Sequence, residues 1–255
     1  MVSVTQRIEA IKQPRGGYIS VKHFNHIQLP IKKELNPDEN IYPGLVGITV
    51  DYLTRFMTGE LLEESFKISL IGAKLLSINE EKRARNLLNK ISGLDENSIV
   101  CACQLAGYDT VYRAGPQTYK PVELIVPDKS TIENIHTMVN RSLSFIEIHG
   151  PITLSGFSVG FESRTKFISS GDGDFLTQDT LWDFKVTKNI PKKEHTLQLL
   201  IYYLMGKRSS HLKNYFETLK YLGIYNPRLQ LVYKIAISDI PPEVIEMVEK
   251  EVIGY

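Results

Sequence analysis

The chain has 255 residues, 42% of them hydrophobic, and its 30 basic and 29 acidic side chains leave a formal charge of +1. That suits one large globular domain, or a domain with a helical appendage, and a near-neutral balance makes any nucleic-acid surface a local feature. No run reaches the roughly eighteen apolar residues of a membrane span. "MVSVTQRIEAIKQPRGG" also lacks the apolar core of a signal peptide, so the expectation is a soluble cytoplasmic protein with no membrane partner.

Residues 1–44 read as an irregular N-terminal arm, with turn-rich "PRGGY" and "LNPDENIYPG". From Leu45 the spacing turns helical, with apolar residues at 46, 50, 53, 56 and 57 of "LVGITVDYLTRFM". Further helices are expected over about 60–77, about 79–91 and from an Asp95 N-cap to about Tyr112. Ser130 and Glu133 have capping-box spacing, which predicts a long helix to about 147. Cys101 and Cys103, two apart, fit neither a tetrahedral zinc site nor a disulfide framework, and a reducing compartment is the simple reading.

After Gly150 the texture becomes short, aromatic and β-branched in "ITLSGFSVGF", "TKFISSGDGDFL" and "TLWDFKVT". "KEHTLQLLIYYLMG" is helical and ends at Gly206, a suitable C-cap. A helix over 211–220, strands in "KYLGIY" and "RLQLVYKIAI", and a closing helix with Pro242 in its first turn complete the chain. The division is an arm, 1–44, and a domain, 45–255, with a helical insertion at about 60–150. Helices followed by a helix-flanked sheet make an α/β or α+β domain with a helical subregion.

"GDGDFLTQDTLWDFKV" carries the chemistry. Two strands joined by a four-residue loop, 177–180, would set Leu176 opposite Leu181, Asp174 opposite Asp183 and Asp172 opposite Lys185. Asp183 and Lys185 then share one face, while Trp182, Phe184 and Val186 take the other and pack on helices. Opposed carboxylates with β-carbons roughly 5 Å apart repel each other. A hard divalent cation, Mg2+ or Mn2+, relieves the repulsion, and a neighbouring lysine can aid charge development on a phosphate. A solvated hairpin with ordinary surface charges is the plain alternative. An EF-hand calcium loop is not supported, because Leu176 and Thr177 stand where that loop needs a ligand and a glycine.

These residues resemble the core of the PD-(D/E)XK nuclease superfamily. Asp174 fills its first acidic position, Asp183-Phe184-Lys185 its acid-x-lysine triplet, and Gly173 replaces the proline of the family name. "HTLQLLIYYLMG" resembles the Q-x-x-x-Y helix of the RecB-like branch, with Gln198 and Tyr202 at i and i+4; the polar edge of a packed helix is the alternative. "GLVGITVDYLTRF" resembles that branch's first motif, where Asp51 stands in place of a metal-binding histidine; an Asp51–Arg55 surface ion pair is the alternative. The resemblance covers about residues 45–60 and 165–235. Only two cysteines are present, so the iron–sulfur cluster of some relatives is not expected.

The resemblance implies a restriction-endonuclease-like α/β fold: a three-layer core with a mixed central sheet flanked by helices, plus a mostly helical insertion. It implies metal-dependent hydrolysis of DNA phosphodiester bonds, in processing, repair or defence against foreign DNA, with RNA not excluded. Asp174, Asp183, the carbonyl of Phe184 and Asp51 would hold the cation. Lys185 would assist the attack, and Gln198 and Tyr202 would position nucleic acid or the metal shell. Residues 183–220 hold five more basic than acidic side chains, and Lys188, Lys192 and Lys193 are the expected backbone contacts. His195, one turn before Gln198, reads as a surface residue. The rival readings are a catalytically inactive binding module of the same fold and an interaction protein built on the helices between 60 and 147. A protein partner or homo-oligomer has no support in the sequence.

Overall fold

The computed structural model describes residues 1–160 and 165–255, so Phe161, the last residue of the expected strand "ITLSGFSVGF", lies outside the described residues. The chain forms two compact units, residues 1–30 with 146–255 and residues 31–145. The α/β class is as expected: the first unit is built on a mixed seven-stranded sheet with helices beside it.

The first thirty residues are not the irregular arm that their turn residues suggested. Val2–Ser3 is strand β1, Val4–Ala10 helix α1 and Asn25–Gln28 strand β2. A capping box secures the short helix: Gln6 N–H donates to Ser3 Oγ (3.3 Å), and Ser3 N–H donates to Gln6 Oε1 (3.0 Å). Val4 and Ile8, one turn apart, bury a common face. Both strands are recruited by partners far along the chain, which local composition cannot report. β1 runs parallel to β4 (Ile168–Thr177), and β2 antiparallel to β7 (Leu231–Ala236).

Residues 31–145 form a helical unit. Pro43–Met57 is α2, Leu62–Ser65 α3, Lys67–Leu76 α4, Ile78–Leu88 α5, Glu96–Ala106 α6 and Asp109–Ala114 α7. The helices expected over 60–77 and 95–112 each divide in two, at Phe66 and at Gly107-Tyr108. Asp95 caps α6 as anticipated, with Ser98 N–H donating to Oδ1 (3.0 Å). The long helix α8, Lys129–His149, is capped by Asp128 rather than Ser130, through Thr131 N–H (2.8 Å). Buried Asp109 ties the unit together by accepting from Tyr52 Oη (2.6 Å) and Ser69 Oγ (2.5 Å). Burial raises its carboxyl pKa, and these hydrogen bonds oppose that rise. Segment 36–40, which lacks regular structure, is pinned to α8 by asparagines. Asn36 N–H donates to Asn134 Oδ1 (2.7 Å), and Asn134 Nδ2 donates back to Asn36 O (3.0 Å).

In the sheet unit, β3 (Ile152–Gly160), β4, β5 (Thr180–Phe184), β6 (Tyr221–Asn226) and β7 follow one another. The order across the sheet is β1-β4-β5-β6-β7-β2, with β3 also paired to β4. β5 and β6 are parallel because α9, Lys193–Arg208, and the short α10, Lys213–Phe216, cross between them. Leu197, Leu200, Ile201 and Leu204 of α9 pack on Leu181, Leu222 and Ile224 of the sheet. Gly206 does not end this helix: it continues to Arg208, and the Phe216 ring lies against the glycine. The loop joining β4 to β5 is two residues, not four. At the C-terminus, Pro242–Met247 (α11) runs on into a π-helical turn, Val248–Ile253.

Gly173 sits opposite Phe157 in the β3–β4 ladder, and a methyl group there would strike the Phe157 ring. That ring is buried and packs edge-on against Tyr202 and Phe216. Overpacking such a core costs about 1–3 kcal/mol. Gly173→Ala is therefore expected to lower unfolding stability by that amount, read from chemical denaturation midpoints.

Candidate metal and nucleic-acid site

The β4–β5 pairing has the expected register, with Leu176 opposite Leu181 and Phe175 opposite Trp182. The ladder then stops, so Asp174 and Asp183 do not form the opposed pair that the register extrapolates to. Instead Asp174 Oδ2 accepts the Phe184 N–H at 2.6 Å, a carboxylate filling the place of a strand carbonyl. The cause is visible in face alternation. Leu176 and the Phe157 ring stacked over Gly173 belong to one core, although positions three apart in a regular strand face opposite ways. Gly156, which would face Asp174 from β3, has φ +60°, a left-handed conformation that favours glycine. Asp172 is exposed and accepts from Ser158 Oγ (2.8 Å) instead of facing Lys185.

Beyond the break, β5 keeps its hold on β6. Asp183 pairs with Ile224, Phe184 with Tyr225, and Lys185 N–H donates to Tyr225 O (2.9 Å). This fixes Asp183 on the same face as core residue Leu181, under α9. Asp183 is 3% exposed. From it runs a chain of polar contacts: Lys185 Nζ lies 2.9 Å from Asp183 Oδ1 and donates to Gln198 Oε1 (3.2 Å). Gln198 Nε2 in turn donates to Tyr202 Oη (2.8 Å). Gln198 and Tyr202 meet because they are one turn apart on α9. Trp182 takes the other face, as expected. It is buried, its Nε1 donates to Thr177 Oγ1 (3.2 Å), and its ring meets His149 of α8 edge-on.

The carboxylates converge electrostatically on Tyr202. Burial raises the pKa of its phenol first, the Gln198 hydrogen bond opposes this, and the negative charges of Asp183, Asp174 and Asp172 raise it further. Among the described residues three carboxylates thus act on one buried hydroxyl near the Lys185 ammonium. His195 is not a plain surface residue: it is half-buried, and its Nδ1 accepts the Lys192 N–H (3.2 Å). Burial first, and then the Lys185 charge, push its pKa down to about 4. The only sequence signal for it was its spacing, three residues before Gln198 on the same helical face.

Lys188 and Lys192 are exposed in the segment leading into α9, and Lys193 begins the helix. The N-terminal "PRGGY" turn packs beside them. Gly17 lies against Lys193, and Thr196 Oγ1 donates to Ile19 O (2.7 Å). Asp51 belongs to the helical unit, on α2, where it pairs with Arg55 at 3.4 Å. Among the described residues no group of three or more His, Cys, Asp and Glu side chains is arranged to hold a metal ion. The structure therefore gathers Asp174, Asp183, Lys185, Gln198 and Tyr202, and gives Asp51 the ion pair that was its alternative reading. Cys101 and Cys103 are free and buried on α6. No helix among the described residues is long and apolar enough to cross a membrane.

Unfolding lets His195 take up a proton below its ordinary pKa near 6.5, while the folded ring stays neutral to about 4. Stability contributed by the neutral ring is complete above that window and is lost as pH falls through it. The thermal midpoint of the parent should fall between about pH 6.5 and 4.5, and His195→Gln, with no proton to gain, should lessen the fall. Parallel melts of the two proteins across that range check this.

Comparison of the chain with protein-family models, with curated proteins and with solved structures returned no match.

Proposed function

We propose that the protein is a divalent-metal-dependent nuclease of PD-(D/E)XK type acting on DNA phosphodiester bonds. The observation that carries this reading is the Asp183–Lys185–Gln198–Tyr202 chain beside Asp174, where β4 and β5 part. The donor set suits a small hard cation. Mg2+ and Mn2+ bind through one or two carboxylates and complete their shells with water and phosphate oxygens, so a third carboxylate is not required. Asp174 and Asp183 would hold the ion with the Phe184 carbonyl, and Asp51 is not needed for this. When bound, such an ion supplies an acidified water and offsets phosphate charge.

The chain's own side chains have separate tasks. Lys185, within reach of Asp183 and Gln198, turns its ammonium toward charge developing on the phosphate. Gln198 fixes that lysine through its carbonyl and Tyr202 through its amide, so three groups share one orientation. The Tyr202 phenol, kept protonated, serves as a donor and not as a base. Lys188, Lys192 and Lys193 meet the phosphate backbone at the start of α9. A binding module that grips DNA without cutting it is the second reading. It is favoured by the direct engagement of Asp183 by Lys185.

Incubation with linear, circular and single-stranded DNA in Mg2+ or Mn2+ tests the reading. Cleavage of at least one substrate is expected, with Lys185→Ala slower by about a hundredfold or more. Titration of Mn2+ by calorimetry should show binding to the parent and its loss in Asp183→Ala. Binding of DNA by folded protein without any cleavage would select the second reading.

A further inference from the structure

We infer that His195 is a substrate-contacting residue of this site, presenting its Nε2–H to a non-bridging oxygen of the DNA backbone beside Lys185. The inference rests on the nuclease reading and adds a residue to it. Three observations converge on the ring. His195 is one turn before Gln198 and two before Tyr202, so all three lie along one face of α9. Its Nδ1 accepts the Lys192 N–H at 3.2 Å. A neutral imidazole that accepts at Nδ1 carries its proton on Nε2, which makes the other edge of the ring a donor. Among the described residues its charged surroundings are Lys185, just past the end of β5, with Lys192 and Glu194 at the start of α9, and the two lysines together with burial keep the ring uncharged.

A neutral donor has a specific use at this place. An imidazolium next to Lys185 would repel the ammonium and loosen its hold on Asp183 and Gln198. The neutral ring offers a hydrogen bond to phosphate without that conflict. The backbone N–H of Lys192 also orients the ring before any substrate arrives, so little ordering is needed on binding. The same hydrogen bond could serve only to cap α9, since a side chain at this third helical position commonly reaches back to the N-cap N–H.

Two variants of the full chain and one spectrum separate the roles. Glutamine at 195 retains both a capping acceptor and a neutral donor, whereas alanine retains neither. Binding is measured with a short fluorescein-labelled DNA duplex, with calcium in place of magnesium, at a temperature where circular dichroism shows every variant folded. His195→Ala should bind about tenfold more weakly, the size expected for one lost hydrogen bond to a charged partner. His195→Gln should return to within about twofold of the parent. Nitrogen-15 histidine spectra of the parent should report a ring protonated at Nε2, with that signal shifting on addition of the duplex. A parent that binds while the His195 Nε2 signal stays put, or an alanine variant that binds as tightly as the parent, overturns the inference and leaves the nuclease reading standing. A folded parent that neither binds nor cuts DNA overturns both.

Discussion

The Phe184 N–H needs an acceptor, and the strand that should supply one has turned away. Asp174 answers with a carboxylate oxygen at 2.6 Å, and the candidate site is organised around that substitution. An unsatisfied amide in a buried strand costs free energy comparable to a lost hydrogen bond, so the break in the ladder is tolerable only where a side chain closes it. The side chain that closes it brings an acidic group to the place where two strands separate. A fully zipped hairpin would instead have set Asp174 directly against Asp183 and exposed both to mutual repulsion.

The second constraint is the parallel pairing of β5 with β6. It holds Asp183 and Lys185 in register after β4 has departed, and α9 must then cross over the face they occupy. α9 is buried along most of its length by leucines, and its polar pair Gln198 and Tyr202 joins the chain of contacts that starts at Asp183 and Lys185. Gln198 serves as the coupler. Its carbonyl accepts from the lysine and its amide donates to the tyrosine, so neither the ammonium nor the phenol can turn without disturbing the other. Among the described residues three carboxylates raise the Tyr202 pKa, and the Lys185 ammonium stands beside them.

The N-terminal segment shows how far such a site depends on remote chain. β1 and α1 join β4 and α9, and the Ile19 carbonyl receives Thr196 near the first turn of α9. The end of α9 that carries His195 is therefore held by residues from the start of the chain. In the helical unit the equivalent work is done by Asp109, Tyr52 and Ser69, a buried polar network between helices. It lies on α2, α4 and α7, and Asp51 sits one residue before its tyrosine.

Local pattern was enough to determine the hairpin register at Leu176–Leu181, the α/β texture, the Asp95 cap and the helical spacing that joins Gln198 to Tyr202. Each depends on neighbours a few residues apart, and the alternation of strands or the turn of a helix carries that information. Tertiary structure alone decided the rest. The departure of β4 at Asp174 follows from Gly156 and Phe157 on another strand. The ordering of the first thirty residues follows from pairing with β4 and β7. The neutral ring of His195 follows from burial beside Lys185. Spacing along the chain cannot encode these, because the contacts that produce them arise only when distant segments pack together.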